Sequence, residues 1–364
     1  MIPSEKKLRF LDKNQSKFFQ TVRKRVDDYF KSNHLSKNAN GQMYFKTFLF
    51  LGGTFFLYGL IMSGMFNLWQ MWVLAILLGT FKAFIGFNVA HDAIHGSYFK
   101  NQTLNKWLGR ISFNFIGGND YMWSITHNLV HHTYTNIPGH DEDIDVAPGL
   151  LRISPEEPWK PFMRFQQWYA FLLYGLAYIS WVMRKDYKKF FQDKIGQTKL
   201  HHKPSDYFNL FFFKVVYYVL FIVLPLIFLP VTWWQFLIGF VSMQLAGGLV
   251  LGLVFQLAHV VEGTDFPYPN SEGNIEEAWA VHQMYTTANF ARKSWISTFL
   301  CGGLNYQIEH HLFPNICHIH YPKISEIVKS TAEEFGLPYI EHPTFLAATQ
   351  SHFRTLKKFG QNPN

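Results

Sequence analysis

The sequence predicts an all-α integral membrane protein in which four transmembrane helices form two hairpins capped by a cytoplasmic helical domain. Two features of the composition favour this fold class. Only 16% of the 364 residues are charged, whereas soluble proteins carry roughly a quarter. Aromatic residues make up 18%, and the apolar residues are concentrated in four long runs. These features are typical of the membrane class of proteins.

The four apolar runs cover roughly residues 44–66, 68–90, 208–229 and 233–261. As a helix rising about 1.5 Å per residue, each is long enough to cross a hydrocarbon core about 30 Å thick. The linkers within the first pair and within the second pair are short and uncharged. They therefore predict two hairpins with minimal outer turns. Lys82 lies inside the second run, and we expect its side chain to snorkel toward the inner interface.

The net charge of +8 is concentrated before the first run, in residues 1–43, which we expect to form a basic cytoplasmic segment ahead of one membrane domain over 44–364. This segment lacks the apolar core and cleavage site of a signal peptide. Basic residues beside a span mark its cytoplasmic side and attract lipid headgroups. We therefore expect both termini and the active site in the cytoplasm, in a bacterial inner membrane, and no nucleic-acid partner.

Two weaker apolar stretches, 168–183 and 294–304, lie outside the four runs. Their length favours interfacial helices over spans. The two cysteines, Cys301 and Cys317, have no spacing that indicates a disulfide framework or a thiolate metal site.

The histidines fall in three clusters and one isolated position, all on the cytoplasmic side of this topology. The clusters are His91 and His95; His127, His131 and His132; and His310 and His311, with His259 alone near the end of the fourth run. A spacing of four places two side chains on one helix face. The topology was derived from the apolar runs and the basic residues, not from the histidines. The location of all the clusters on its cytoplasmic side therefore independently favours a common metal site.

Each signal taken alone has a plainer interpretation. A lone His259 is more often a core or interfacial residue than a ligand. One His-x-x-x-His pair arises by chance, and the pair that flanks Asp92 resembles the His-Glu-x-x-His of zinc proteases. Together, however, the clusters favour a multi-histidine metal site. We interpret His34, His201, His202, His342 and His352 as surface residues, and His140, His282, His318 and His320 remain undecided.

The number of histidines indicates two metal ions. Imidazole suits zinc, copper, iron and nickel, so ligand type alone does not select the metal. A catalytic zinc takes three protein ligands, and eight histidines exceed what one ion binds. Soluble di-iron bundles use Glu with Glu-x-x-His pairs instead. The nitrogen-rich set therefore points to a different family, with the di-metal site in the cytoplasmic cap.

The histidine boxes resemble those of the membrane fatty acid desaturase family. They read His91-Asp92-Ala93-Ile94-His95, His127-Asn128-Leu129-Val130-His131-His132 and Gln307-Ile308-Glu309-His310-His311. The resemblance continues through 136–143 and 279–289 and covers about 44–312. Gln307, where many members have His, is similar to the front-end (Δ5/Δ6-type) acyl desaturases and their bacterial relatives. Phe255 stands where some acyl-CoA desaturases have a polar residue that holds water.

The resemblance implies an O₂-dependent desaturase that introduces a cis double bond into a long acyl chain on CoA, a carrier protein or a lipid. It implies two iron ions, with O₂ as co-substrate. The implied ligands are His91, His95, His127, His131, His132, His259, His310 and His311. The His-Pro-Gly-Gly motif of a fused cytochrome b5 domain does not occur in the sequence. We therefore expect a separate electron donor of the ferredoxin or cytochrome b5 type.

Beyond the metal ligands we expect no catalytic side chain. The residues expected in the outer shell or beside the substrate are Gln307, Asp92, Glu309, Asn128, Tyr121 and Trp123. Asp141, Asp143 and Asp145 either bond ligand imidazoles, hold the headgroup, or form a solvated loop. Tyr121 and Trp123 have a plainer interpretation as part of the aromatic belt at the membrane interface.

Two other functions stay open. A related alkane or lipid hydroxylase would have the same metal site and give an alcohol instead of an alkene. A histidine-rich metal transporter or sensor would require polar residues deep within the spans.

Overall fold

The structure is a computed structural model that describes residues 8–144, 146–154 and 157–362. Asp145 and the first seven residues lie outside the described residues, so the expectation for Asp145 has no structural counterpart. The first half of the chain contains helices α1 (Phe18–Ser32), α2 (Gly41–Met62), α3 (Leu68–Ile85), α4 (His91–Ile94), α5 (Gln102–Phe115), α6 (Asp120–Trp123), α7 (His132–Tyr134), α8 (Gln166–Ser180) and α9 (Asp186–Phe190).

The second half contains α10 (Pro204–Tyr218), α11 (Leu224–Phe228), α12 (Trp233–His259), α13 (Trp279–Thr286), α14 (Trp295–Leu300), α15 (Gln307–Leu312), α16 (Tyr321–Glu334) and α17 (Phe345–Gly360). Turns of π-helix cover Gly86–Ala90, Ser124–His131, Trp181–Lys185 and Val219–Val223. Turns of 3₁₀-helix cover Pro161–Phe165 and His318–His320.

The described residues contain six two-residue strands, which form three pairs. They are β1 (Arg9–Phe10), β2 (Lys194–Ile195), β3 (Thr198–Lys199), β4 (Asn274–Ile275), β5 (Asn289–Phe290) and β6 (Glu341–His342). β1 pairs with β4 and β5 with β6 in parallel, and β2 pairs with β3 antiparallel.

Within the described part of the chain, four helical segments are long and apolar enough to cross a membrane: Gly41–Met62, Leu68–Ile94, Pro204–Phe228 and Trp233–His259. The four predicted runs are therefore confirmed as helices, with shifted ends. The first helix ends early because Gly64 has a φ of +63°, a conformation outside the helix. The third begins at Pro204, since proline is tolerated in the first turn of a helix.

The two short linkers have matching helix starts. The side chain of Asn67 accepts a hydrogen bond from the backbone N–H of Gln70, whose own side chain accepts from the N–H of Asn67. Thr232 and Gln235 form the same reciprocal pair at the start of α12. Both capping boxes satisfy backbone donors without any charge.

α3 and α12 approach each other closely at a glycine. A Cβ added at Gly79 would lie 1.9 Å from the carbonyl oxygen of Met243, so a larger residue would force the helices apart. α8 packs along α12 through the buried residues Ala170, Tyr174 and Tyr178, while Trp168 on its other side is 70% exposed. The predicted stretch 168–183 is therefore an amphipathic helix. The second stretch, 294–304, contains only the shorter α14.

The N-terminal segment folds onto the rest of the chain. Phe18, Val22, Val26 and Phe30 repeat every four residues, are buried, and share a core with Ile324 and Val328 of α16. A stripe of this spacing is the apolar face of an amphipathic helix. α1 is thereby packed beside α15, which carries the third histidine box.

The expectation that Lys82 snorkels to the interface is wrong. Its side chain is fully buried, and its amino group donates to the hydroxyl of Tyr217 at 2.7 Å. Lys46 and Lys214 lie in spans as well, and both are buried. Each finds acceptors inside the protein, which explains why these amino groups do not reach for water.

Candidate metal centre

The three histidine boxes and His259 come together in one buried cluster. Three sets of ring nitrogens lie within 4.8 Å of one another. They are His91 with His95, His127 and His310; His131 with His259 and His311; and His132 with His310 and His311. The third set shares His310 with the first and His311 with the second, so it joins two centres into one cluster. All eight predicted ligands belong to it.

A π-helical turn decides which histidines of the second box meet. The box lies on Ser124–His131, where the hydrogen bonds run from residue i to i+5. His127 and His132, five apart, therefore face each other, with their Nε2 atoms 3.3 Å apart. We predicted that His127 and His131, four apart, point at one place. Instead they fall in different sets, because the turn is not α-helical.

The buried ring nitrogens fit metal ions. Nε2 of His91, His95, His131 and His310 is buried without a hydrogen-bond partner in the described part of the chain. A buried polar atom left unpaired costs about 1–3 kcal/mol. Several such lone pairs directed at one another are best explained as ligands of cations. The donor set, imidazole throughout, suits first-row transition metals.

Outer partners hold the opposite side of the rings. Nδ1 of His131 lies 2.8 Å from Asp141 Oδ2, and Nδ1 of His127 lies 3.3 Å from Asp143 Oδ2. Nδ1 of His311 lies 2.8 Å from Gln283 Oε1. In each case an N–H at Nδ1 donates outward and leaves the Nε2 lone pair facing the cluster. This is the arrangement of metal-binding histidines and their supporting residues.

The environment keeps most of these rings neutral. Burial lowers the pKa of His95, His127, His132, His310 and His311, and the neighbouring histidines add to the effect. For His131, burial acts in the same direction, but the Asp141 carboxylate reverses it and raises the pKa. Neutral imidazole is the form that binds a metal.

Two predicted outer-shell acids are held by residues beyond the cluster. Asp92 Oδ2 accepts from the backbone N–H of His318 and lies 2.9 Å from its Nδ1. His318 in turn lies 2.7 Å from the amino group of Lys46. Glu309 accepts hydrogen bonds from Asn289 and Tyr339, both at 2.8 Å, and burial raises its pKa to about 7. Asp92 is adjacent to the cluster, whereas Glu309 faces away from it.

Gln307 lies against the second centre. Its amide nitrogen is 2.9 Å from Nε2 of His259 and 3.3 Å from Nε2 of His311. Its Oε1 is buried without a partner in the described residues. The amide therefore occupies a place beside the atoms that would bind a metal.

A largely apolar cavity of about 200 Å³ adjoins the cluster. Its walls include His91, His127, Gln307, Trp123 and Phe255. Trp123 stacks on His127 with ring centres 4.0 Å apart. One end is polar, with Asp143, Lys185 and Lys189, and the opposite end lies within the helix bundle. The cavity offers space for a largely apolar ligand next to the histidines.

Some predicted residues lie elsewhere. Tyr121 packs on Phe190 and lies 3.0 Å from Nδ1 of His202. Asn128 donates to the carbonyl of Ile94 and supports the first box from outside. The interpretation of His352 as a surface residue is wrong, because it is fully buried between Tyr174 and Val260. His202 is half-buried and stacks on Phe190.

Sequence reasoning missed several supporting residues. Gln283, Thr135 and Tyr321 contact ring nitrogens of the third box. His318 bonds Asp92, and His282 bonds the carbonyl of Thr135. Gln283 and His282 lay in the segment 279–289, and His282 and His318 had been left undecided, whereas Thr135 and Tyr321 had no local signal.

Comparison with known proteins gives consistent matches. The model of the fatty acid desaturase family matches residues 67–343. An sn-1 linoleoyl-lipid 6-desaturase of Synechocystis is 38% identical over 351 residues, covering 94% of this chain and 96% of that protein. An enzyme of the same description from Arthrospira platensis is 36% identical, with 95% and 93% covered. An acyl-lipid (8-3)-desaturase of Physcomitrium patens is 36% identical, with 97% and 74% covered.

Proposed function

This chain belongs to the fatty acid desaturase family and is an oxidoreductase of lipid metabolism, and we propose that it is a front-end acyl-lipid desaturase with two irons held by its eight clustered histidines. The observation that carries the proposal is the pairing of inward-facing ring nitrogens with an adjoining apolar cavity. A metal centre beside a largely apolar pocket suits oxidation of a hydrocarbon chain.

The chain's own residues position and shield the reaction. Asp141, Asp143 and Gln283 hold imidazole rings by Nδ1, which directs Nε2 inward. The apolar walls exclude water and fix which carbons lie beside the centre. When bound, the irons supply O₂ activation: two hydrogens leave adjacent carbons and, with two electrons and two protons, reduce O₂ to two waters.

The acyl carrier is best assigned to a lipid. The relatives from Synechocystis, Arthrospira and Physcomitrium act on acyl lipids, as their names state. The polar end of the cavity, with Lys185, Lys189 and Asp143, suits a polar headgroup, and the apolar end suits the hydrocarbon tail. A front-end enzyme measures from the carboxyl end, so the headgroup end would set the double-bond position.

The proposed topology places both hairpin turns outside and the histidine cluster with both termini in the cytoplasm. The uncharged capping boxes at Asn67 and Thr232 support this arrangement, as do the basic residues that precede α2. A cytoplasmic centre would be accessible to a reduced carrier protein, which we propose as the electron donor.

Expression in a host that lacks the activity tests the function. We expect new cis-unsaturated acyl chains in membrane lipids, with the double bond on the carboxyl side of existing ones, identified by mass spectrometry. His310→Ala is the matched negative control, since it removes a ring shared by two of the ligand sets. Hydroxylated acyl chains in place of alkenes would show that the chain is a hydroxylase instead.

A further inference from the structure

Two cavities lie one behind the other along α3 and α12. The first adjoins the histidine cluster and reaches Gly86 on α3's continuation and Gly248 and Leu251 on α12. The second, of about 360 Å³, is lined by Leu78 and Met243 farther down the same helices and is almost entirely apolar. The position between them is one helical turn below Gly86 and Gly248.

A polar cluster occupies that position. Lys82, one turn below Gly86, donates to Tyr217 at 2.7 Å, and Tyr217 donates to Gln244 at 3.2 Å. Gln244 lies one turn below Gly248, and its amide nitrogen has no partner in the described residues. No carboxylate of the described chain lies within ion-pair distance of Lys82. All three side chains are buried.

Aromatic rings join this cluster to both cavities. The amino group of Lys82 lies 5.5 Å from the ring centre of Tyr178, which lines the first cavity, and 4.2 Å from that of Phe221, which lines the second. The hydroxyl of Tyr178 donates to the carbonyl of Ile116, another residue of the first cavity. Tyr178 thus lies between the first cavity and the amino group of Lys82.

We propose that Tyr178, backed by Lys82, Tyr217 and Gln244, is the end wall of the acyl cavity and sets the longest acyl chain that the enzyme accepts. The inference rests on the proposed function, because it takes the first cavity as the acyl site. An apolar side chain here would yield to a longer tail by changing rotamer. The hydrogen-bonded cluster resists, since displacing Tyr178 breaks its bond to Ile116 and brings the buried amino group of Lys82 against hydrocarbon.

The wall also explains why a polar cluster lies deep in an apolar bundle. Without it, the two cavities would join into one tunnel that reaches the other end of the spans. A tail that entered the second cavity would shift the chain along its axis and bring different carbons to the metal centre. A fixed wall therefore stops the tail from sliding past the position that the headgroup end sets.

Three variants test the wall: two should raise the limit on acyl chain length, and one should lower it. Lys82→Met removes the amino group at nearly constant volume, and Tyr178→Ala opens the wall. Leu251→Phe adds bulk to the closed end of the first cavity. Tyr218→Phe is the control, because Tyr218 is likewise bonded to a backbone carbonyl but lines neither cavity. The assay feeds a host acyl chains of increasing even length and quantifies unsaturated product at each length.

We expect Lys82→Met and Tyr178→Ala to raise the amount of product from the next longer chain, relative to product from the longest chain that the wild type accepts, about tenfold. This is the low end of the discrimination that one methylene gives in an apolar pocket. Leu251→Phe should lower the length limit, and Tyr218→Phe should leave it unchanged. If the Tyr178→Ala protein does not accumulate, the length profiles of Lys82→Met and Leu251→Phe decide whether the wall limits chain length. An unaltered length profile in active variants overturns the end wall, whereas absence of any product from the wild type counts against the proposed function.

Discussion

Single imidazoles in the cluster are fixed by different outer partners. His131 is held by a carboxylate, His311 by an amide, and His259 lies 3.4 Å from the carbonyl of Thr286. An acidic partner makes the ring a stronger donor to a metal than an amide does. The three rings of this one ligand set therefore differ in donor strength before any metal binds.

Replacement of one cluster histidine should remove activity without preventing membrane insertion. Alanine at His91, His95, His127, His131, His132, His310 or His311 should lower iron from a wild-type content of about two per chain. Insertion should persist, because it depends on the apolar spans. Metal analysis and turnover of purified protein measure both. His201→Ala and His34→Ala, at exposed positions, are the controls, whereas buried His352 is unsuitable. Normal turnover in any two cluster variants would refute the assignment.

Gln307 should act beside the metals and not as a ligand. Its amide contacts His259 and His311, and an amide oxygen is a weak ligand beside imidazoles. Gln307→Ala should lower activity substantially and leave much of the iron bound. Gln307→His should perturb the site, because another imidazole enters it. Iron content measured together with turnover separates a residue beside the metals from a metal ligand. Loss of one whole iron in Gln307→Ala would show that Gln307 is a ligand.

Among the elements, α17 is held to α8 and to the end of α12. Nδ1 of His352 donates to the carbonyl of Val260 at 2.6 Å, and Nε2 accepts from Tyr174 at 2.7 Å. Both nitrogens are satisfied only in the neutral ring. Burial lowers the pKa of His352 to about 4.

Acid should therefore destabilise the docking of α17. The folded pKa of His352 lies below the unfolded value of 6.5, so its contribution is complete above pH 6.5 and is lost as the pH falls toward 4. The shift in pKa corresponds to about 3 kcal/mol in the free energy of unfolding. In His352→Gln, which does not titrate, the thermal midpoint should fall less between neutral and acidic pH. Equal slopes for the two proteins would contradict this.

The two hairpin turns should face away from the cytoplasm. Asn67 caps α3 in the first turn, and exposed His201 precedes α10. In intact cells, a membrane-impermeant thiol reagent should label Asn67→Cys and not His201→Cys. The native Cys301 and Cys317 are buried and should stay unlabelled. Equal labelling of the two positions would break the four-span topology.

At the scale of the whole molecule, the net charge of +8 favours an acidic electron carrier. The purified chain should turn over only when a reduced ferredoxin or cytochrome b5 is added. Its rate should fall as salt rises, because screening weakens the encounter. Oxygen uptake coupled to alkene formation measures this. Turnover from NADH with the chain alone would disprove a separate donor.

The buried lysines also bear on the transporter alternative. A cation moving from the histidine cluster along α3 would meet the amino group of Lys82. The described spans offer lysine and glutamine there, and an ammonium repels a metal ion. The bundle interior is therefore better suited to closing a hydrocarbon cavity than to passing ions.

The sequence by itself determined the features that depend on local pattern. Apolar length predicted the four spans, because crossing hydrocarbon requires a fixed rise of helix. The order and spacing of the boxes predicted the eight clustered histidines, and the short uncharged linkers predicted two turns, which the structure has at 63–67 and 229–232. Each of these signals lies within a few neighbouring residues.

Only the tertiary structure decided what depends on rotation about a helix axis and on distant partners. A π-helical turn at Ser124–His131, which has no local sequence signal, paired His127 with His132. Packing of α10 against α3 gave Lys82 an internal acceptor, and packing of α17 on α8 buried His352. Hydropathy assigns such side chains to water or the interface, because a one-dimensional pattern contains no information about the partner that compensates their burial.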